Sequence, residues 1–193
     1  MLAPLSFDQA FERLREPKRR GAVSLSPAGE ERVARSLHAL GFDVRDYRIN
    51  VDDYRAFVAA ARYREDHPHY YRGNLAEKSL EHFIAADLLD LREGDVYIDV
   101  ASQQSPAPVV YQRLFGVRPY RQDLDFPPGL AGDRIGGDAA RMPVPDGFAA
   151  KIALHCSIEH FEGDADMRFV REAGRVLGEA GRTCIVPTYL AEE

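Results

Sequence analysis

From residue 26 to 91, apolar positions recur at helical spacing; beyond Gly94 they gather into short runs separated by further helical stretches. Ser26-Pro27 supplies an N-cap followed by proline at the first helical position, Val33, Leu37 and Leu40 repeat at helical spacing, and Gly41 stops the helix. Asn50 with Asp53 opens a second helix with an apolar face of Tyr54, Phe57, Val58 and Ala61. Asn74 with Glu77 reads as a capping box for a third, striped by Leu80, Phe83, Ile84, Leu88 and Leu91. After Gly94 the pattern predicts a strand over 96–101, a helix over 107–115, and strands over 118–123 and 134–137. A strand over 150–155, a helix over 164–177 and a strand over 182–187 follow. Such alternation implies βαβ units and a mainly parallel sheet, so the fold class is α/β. The link between Asp123 and Arg134 is short for a crossover and carries Pro127-Pro128-Gly129, which predicts an irregular loop.

Composition narrows the function classes. A chain of 193 residues with 45% hydrophobic and 29% charged residues buries an ordinary globular core. The net charge of −6 argues against a nucleic-acid partner. The basic run from Arg13 to Arg20 is broken by Pro17 and reads as a solvated helix end. Cys156 and Cys184 read as buried free thiols in a reducing compartment. The N-terminus lacks the features of a signal peptide, and no apolar run approaches the roughly 20 residues of a membrane span. A cytoplasmic protein is expected.

The candidate chemistry lies at strand ends, because open parallel sheets take ligands beyond their carboxyl edge near the switch in strand order. In this sequence those ends are 99–105, Asp123 with Asp125, Asp138 with Ala139, and His155-Cys156-Ser157. An acid ending a second strand suits the two hydroxyls of a ribose. An aspartate followed by a backbone amide suits an adenine edge. Singly, each aspartate reads as a turn former or helix cap; together they form a constellation.

Strand 96–100 with Asp99, the segment GDAARMPVPDG (137–147), the strand and exit at 151–161, and REAGRVLGEAGR (171–182) leading into TCIVP carry a family resemblance. From about Tyr97 to Pro187 the chain resembles the class I S-adenosylmethionine-dependent methyltransferases of the type 11-like, small-molecule kind. The resemblance implies a Rossmann-like domain over 92–193 beneath an N-terminal helical cap or lid over 1–91. It also implies S-adenosylmethionine as cofactor, with Asp99, Ala101, Ser102 and Gln103 at the binding loop. Asp123 would hold the ribose, Asp138 and Ala139 the adenine, and His155 would lie beside the cofactor.

Three departures accompany it. The loop places Ala101, Gln103 and Ser105 where the family has glycines, so Gln103 is expected to project into cofactor space. The sequence stops shortly after the fifth strand, where the family adds two more, which predicts an apolar edge open to a partner or a second copy. The second crossover is abbreviated.

His160 is the candidate general base on a substrate hydroxyl, since imidazole titrates near working pH. His155, Glu159 and His160 do not match the spacing of HExxH. The Glu-x-x-Glu-His pattern of some quinone methyltransferases has Cys156 in place of its first glutamate, and no metal is expected. Glu65-Asp66-His67-Pro68-His69 reads as a loop, and the resemblance, which places the preceding helices over the cofactor mouth, implies that Tyr70, Tyr71 and Arg72 face a substrate from a lid. Transfer of a methyl group to a small-molecule or glycan acceptor is the leading reading, because alignment supplies much of the rate. The alternative is a non-catalytic, methyltransferase-like domain that binds a partner or another ligand. A nicotinamide-dependent oxidoreductase is disfavoured by the missing GxGxxG.

Overall fold

A computed structural model describes residues 26–70 and 73–188. The basic run at 13–20, Tyr71 and Arg72 lie outside the described residues. Among the described residues four helices come first: α1 (Pro27–Ala39), α2 (Val51–Ala61), the single turn α3 (Tyr63–Asp66) and α4 (Leu75–Leu89). Then follow β1 (Val96–Val100), α5 (Ala107–Phe115), β2 (Arg118–Asp123), β3 (Gly129–Ala131), β4 (Arg134–Gly136), β5 (Ala149–His155), α6 (Ala165–Val176) and β6 (Leu177–Val186). Short 3₁₀ turns occupy Ala139–Arg141 and Ile158–His160.

Among the described residues six strands form one sheet in the order β3-β4-β2-β1-β5-β6, parallel except for β3. The chain moves outward from β1 through β2 to β4, then returns to the other side of β1 for β5 and β6. The switch point therefore lies between β1 and β5. This is the mainly parallel α/β sheet of the sequence reading.

Side chains alternate across the pleat and give the sheet two apolar faces. Tyr97, Ala153 and Cys184 pack against Phe57, Ala86, Leu89 and Val110 of α2, α4 and α5. Ile98, Val100, Ile152 and Leu154 pack against Phe169, Ala173 and Val176 of α6. The N-terminal helices α2 to α4 thus share a core with one face of the sheet. In α1 only Gly29 is buried.

Several local expectations change. The short link after β2 is not irregular throughout, because β3 runs back antiparallel to β4 and takes the place of a crossover helix. A Cβ on Gly136 would lie 1.9 Å from the Pro127 carbonyl oxygen, so only glycine lets the link cross β4. Asn74 precedes α4, but its side chain makes no capping hydrogen bond. Asn50 does cap α2, accepting from the Asp52 and Asp53 amides. Glu65 and Asp66 lie in the helical turn α3 rather than in a loop. β6 begins directly after α6, five residues before the expected 182. Ala149 pairs with Leu177 and Lys151 with Arg182, so residues 178–181 bulge out of the ladder. Cys184 is buried as expected, whereas Cys156 is only half-buried and both thiols are free. Among the described residues, no helix is long and apolar enough to cross a membrane.

Candidate functional site

The strand ends open into a cleft of about 1110 Å³, walled on the far side by the first turns of α4. Ligand clefts commonly hold roughly 300–1,000 Å³. Asp99, Ala101, Gln103, Asp123, Asp138 and Ala139 all line it, as do His155 and His160. The loop residue Ser102 is buried behind the wall instead, with its hydroxyl donating to Asp99 at 2.7 Å.

The loop after β1 turns without glycine. Ala101 and Gln103 hold φ of 52° and 40°, in the left-handed region that side chains disfavour. Hydrogen bonds from neighbouring strands hold this shape. The Ser102 amide donates to the Gln122 carbonyl (2.9 Å) and the Gln103 amide to Asp123 Oδ2 (2.8 Å). Gln122 is buried, accepts from the Ala101 amide at 3.3 Å and donates to the Gly137 carbonyl at 2.6 Å. Its one side chain ties the loop to the exit of β4. The Gln103 side chain is exposed on the cleft wall. Pro106 immediately precedes α5 as its N-cap residue, buried and outside the lining. Neither residue plugs the space.

Asp99 is the buried centre of the floor, 1% exposed. Its carboxylate accepts from the Tyr97 hydroxyl (2.9 Å), the Ser102 hydroxyl and His155 Nδ1 (3.0 Å). Burial by itself raises the Asp99 carboxyl, but the His155 contact and the Ser102 bond outweigh it and leave the group below its ordinary range. His155 Nε2 lies 3.3 Å from the Tyr111 hydroxyl, which donates to the His82 carbonyl at 2.8 Å. The His82 ring stacks edge-on to His155 at 4.8 Å. Burial, then the charge of His155, hold His82 well below the usual histidine range.

The other acids are partly engaged. Asp123 accepts from the Gln103 and Asp125 amides. Asp138 caps the 3₁₀ turn through the Ala140 amide (2.8 Å) and pairs with Arg168 at 3.3 Å. A carboxylate offers about four lone-pair sites, so both keep acceptor capacity towards the cleft.

His160 stands exposed on the cleft wall, and Tyr70 joins the wall beside α4. Sequence reasoning missed Gln122 and the α4 wall, made by Asn74, Glu77 and Lys78. A polar residue immediately before a strand-end acid was the available signal for Gln122. Glu77, Glu81 and Cys156 bring ligand atoms within 4.8 Å of one another. The Lys78 ammonium already sits on both Glu81 oxygens at 3.0 and 3.1 Å, so a cation occupies the place a metal would take. Among the described residues, His67 and His69 join no cluster of three metal-ligating groups.

No family model matches the chain, and no curated protein does. Solved structures do. The PH0226 protein of Pyrococcus horikoshii aligns at 18% identity and a TM-score of 0.47, covering 72% of this chain and 66% of that one. A SAM-dependent methyltransferase of Aquifex aeolicus aligns at 12% identity and a TM-score of 0.42, with 68% and 69% covered. The [4+2]-cyclase SpnF aligns at 17% identity and a TM-score of 0.45, with 54% and 43% covered. The chain spans about half the length of several of the solved structures it matches.

Proposed function

We propose that this chain, whose sheet has the Rossmann-like order of class I methyltransferases, binds S-adenosylmethionine in the cleft and transfers its methyl group to a small-molecule or glycan acceptor. The observation that carries the reading is the loop at 101–105. Ala101 and Gln103 adopt the positive φ that glycine normally supplies, and the loop leaves open a cleft bordered by Asp123 and Asp138. The residues present therefore fit the cofactor. Asp123 would accept from the ribose hydroxyls, Asp138 and the Ala139 amide would meet the adenine edge, and the loop backbone would border the amino-acid end. When bound, the cofactor supplies a methyl group activated by its sulfonium.

The remaining work falls to side chains that position and deprotonate the acceptor. Asp99 and Ser102 fix the loop from below, and Asp99 orients His155 through its Nδ1. His160, on the cleft wall, takes the acceptor's proton. A His160→Gln variant is expected to lower turnover by about 10²–10⁴ and to leave cofactor affinity unchanged. A fall in affinity of the same size would remove the base from this role.

Thermal-shift titration with S-adenosylmethionine tests the binding assignment. Wild type should be stabilised, Asp138→Ala should lose most of the shift, and Arg168→Ala should keep it. Equal shifts in all three would overturn the placement of the adenine. One observation favours the non-catalytic reading: both Asp123 oxygens and both Asp138 oxygens have partners within the chain. No shift in any variant would favour that reading.

A further inference from the structure

Between α2, α4 and α5 lies a groove that shares no lining residue with the cleft. It holds about 480 Å³ and is walled by Phe57, Phe83, Leu114 and Phe115, and the small side chains of Ala56 and Ala60 leave it open. Phe57 belongs to the apolar core, and Phe83, Leu114 and Phe115 pack against that core, so the walls are preformed. Asp87 and Asp90 also line it. The end of α1 presents the opposite shape. Leu40 is 74% exposed and Phe42 60%. Phe42 is nevertheless held in place. Gly41, at φ 88°, closes α1 in a Schellman turn, with its amide on the His38 carbonyl (2.9 Å) and the Phe42 amide on the Leu37 carbonyl (3.0 Å). The His38 ring donates from Nδ1 to the Phe42 carbonyl at 3.1 Å. Both backbone groups of Phe42 are therefore bonded while its side chain stays mostly exposed, which is the form of a preorganised aromatic anchor. Five residues of chain, at most roughly 17 Å, separate Phe42 from Tyr47. The Tyr47 hydroxyl in turn donates to the groove residue Asp87 at 2.8 Å.

Anchor and groove thus lie on one face of the chain, and neither fills the other. Apolar surface left in this way marks a contact site. We propose that the groove receives Phe42 and Leu40 of a second copy, in a two-fold pair where each copy gives its anchor and takes the other's. A two-fold axis needs a surface complementary to itself, and an anchor and a groove on one face meet that condition. The area is sufficient. At 60% exposed, the Phe42 side chain offers roughly 120 Å² to a partner. With Leu40, the groove surface covered in return and the two-fold doubling, the pair buries on the order of 1,000 Å², enough for a specific but reversible dimer. Charge does not oppose it. Asp43 pairs with Arg45, and Arg48 balances Asp46, so the segment meets Asp87 and Asp90 with no net charge of its own. The pairing stands apart from the cofactor reading, since it uses none of the cleft residues.

Sedimentation equilibrium of the full chain, from about 1 to 300 μM, reads the pairing. Wild type should pass from monomer to dimer across that range. Phe42→Asp removes the anchor and Ala60→Lys fills the groove. Both positions are exposed, so both variants should keep the wild-type melting profile. Each alone should pair at least about tenfold more weakly than wild type. Mixed in equal amounts, the two variants should associate more tightly than either does alone. The Phe42→Asp copy keeps a sound groove and the Ala60→Lys copy keeps a sound anchor, so one of the two contacts survives in the mixed pair. A non-specific apolar contact gives no such rescue. A wild type that stays monomeric throughout, a dimer that Phe42→Asp leaves intact, or a mixture without rescue overturns the proposal. A monomer whose melting midpoint falls in both variants overturns it as well, and gives the groove to another segment of the same chain.

Discussion

Ala101, Gln103 and Cys156 all hold their backbones at positive φ beside one cleft, at 52°, 40° and 52°. Each stores local strain that surrounding hydrogen bonds must offset, and Gln122 and Asp123 provide those bonds at the loop. Ala101→Gly should therefore raise stability by about 1 kcal/mol, read as a higher midpoint in urea unfolding. A lower midpoint would show that the loop is not strained there. His82 gives a second test. Its folded-state value lies well below the ordinary 6.5, so the unfolded chain takes up a proton first as pH falls. Stability is then present in full above about pH 6.5 and is lost as pH falls from there towards the folded value. The slope is up to about 1.4 kcal/mol per pH unit. Thermal unfolding at descending pH should show this loss, and His82→Phe should flatten it; an equal slope in both would assign the proton elsewhere. The strand-end residues were legible in sequence because each follows a short apolar run, and seven of the eight predicted cofactor contacts line the cleft (Ser102 lies just behind it). Glu77, Lys78 and Gln122 were not. Their positions depend on which turn of α4 meets the sheet and on which strands flank β2, and local periodicity contains neither.

At the scale of elements, the apolar pattern placed β1, α5, β2 and α6 within a residue or so, because each has a clear period and a recognisable stop. β3 escaped it. Three residues are too few to show a period, and Pro127-Pro128-Gly129 reads as loop. The sequence nevertheless holds a trace of the hairpin in Gly136, which the link crosses at backbone contact. Gly136→Ala should cost about 2 kcal/mol or more, since the atom it meets is a carbonyl and not a flexible side chain. Chemical denaturation measures this, and a change below about 0.5 kcal/mol would mean the link moves aside freely. Among the described residues β6 stands at the edge of the sheet, as expected, and the stretch before its apolar part carries a bulge. Residues 178–181 bulge, and Glu179 and Arg182 are exposed along it. Bulges and charges are the devices that discourage edge-to-edge pairing. The capping box at Asn74 failed because that residue's backbone, at φ −142° and ψ 31°, is not extended as a capping residue's usually is.

At the scale of the molecule, helices α2 to α4 and the sheet are joined by one apolar core, and that junction creates the cleft. α4 is packed on the sheet through Ala85, Ala86 and Leu89, and its first turns overhang the switch point with Glu77 and Lys78. The strand ends and the first turns of α4 are thus held at a fixed separation by packing and not by a flexible linker. The central claim is that this cleft accepts S-adenosylmethionine although its loop contains no glycine. Isothermal titration of the full chain with S-adenosylmethionine, and separately with S-adenosylhomocysteine, tests it most directly. The account predicts one site per chain with affinity on the order of micromolar, weakened about tenfold or more in Asp123→Asn. No detectable heat from a protein shown to be folded would contradict it.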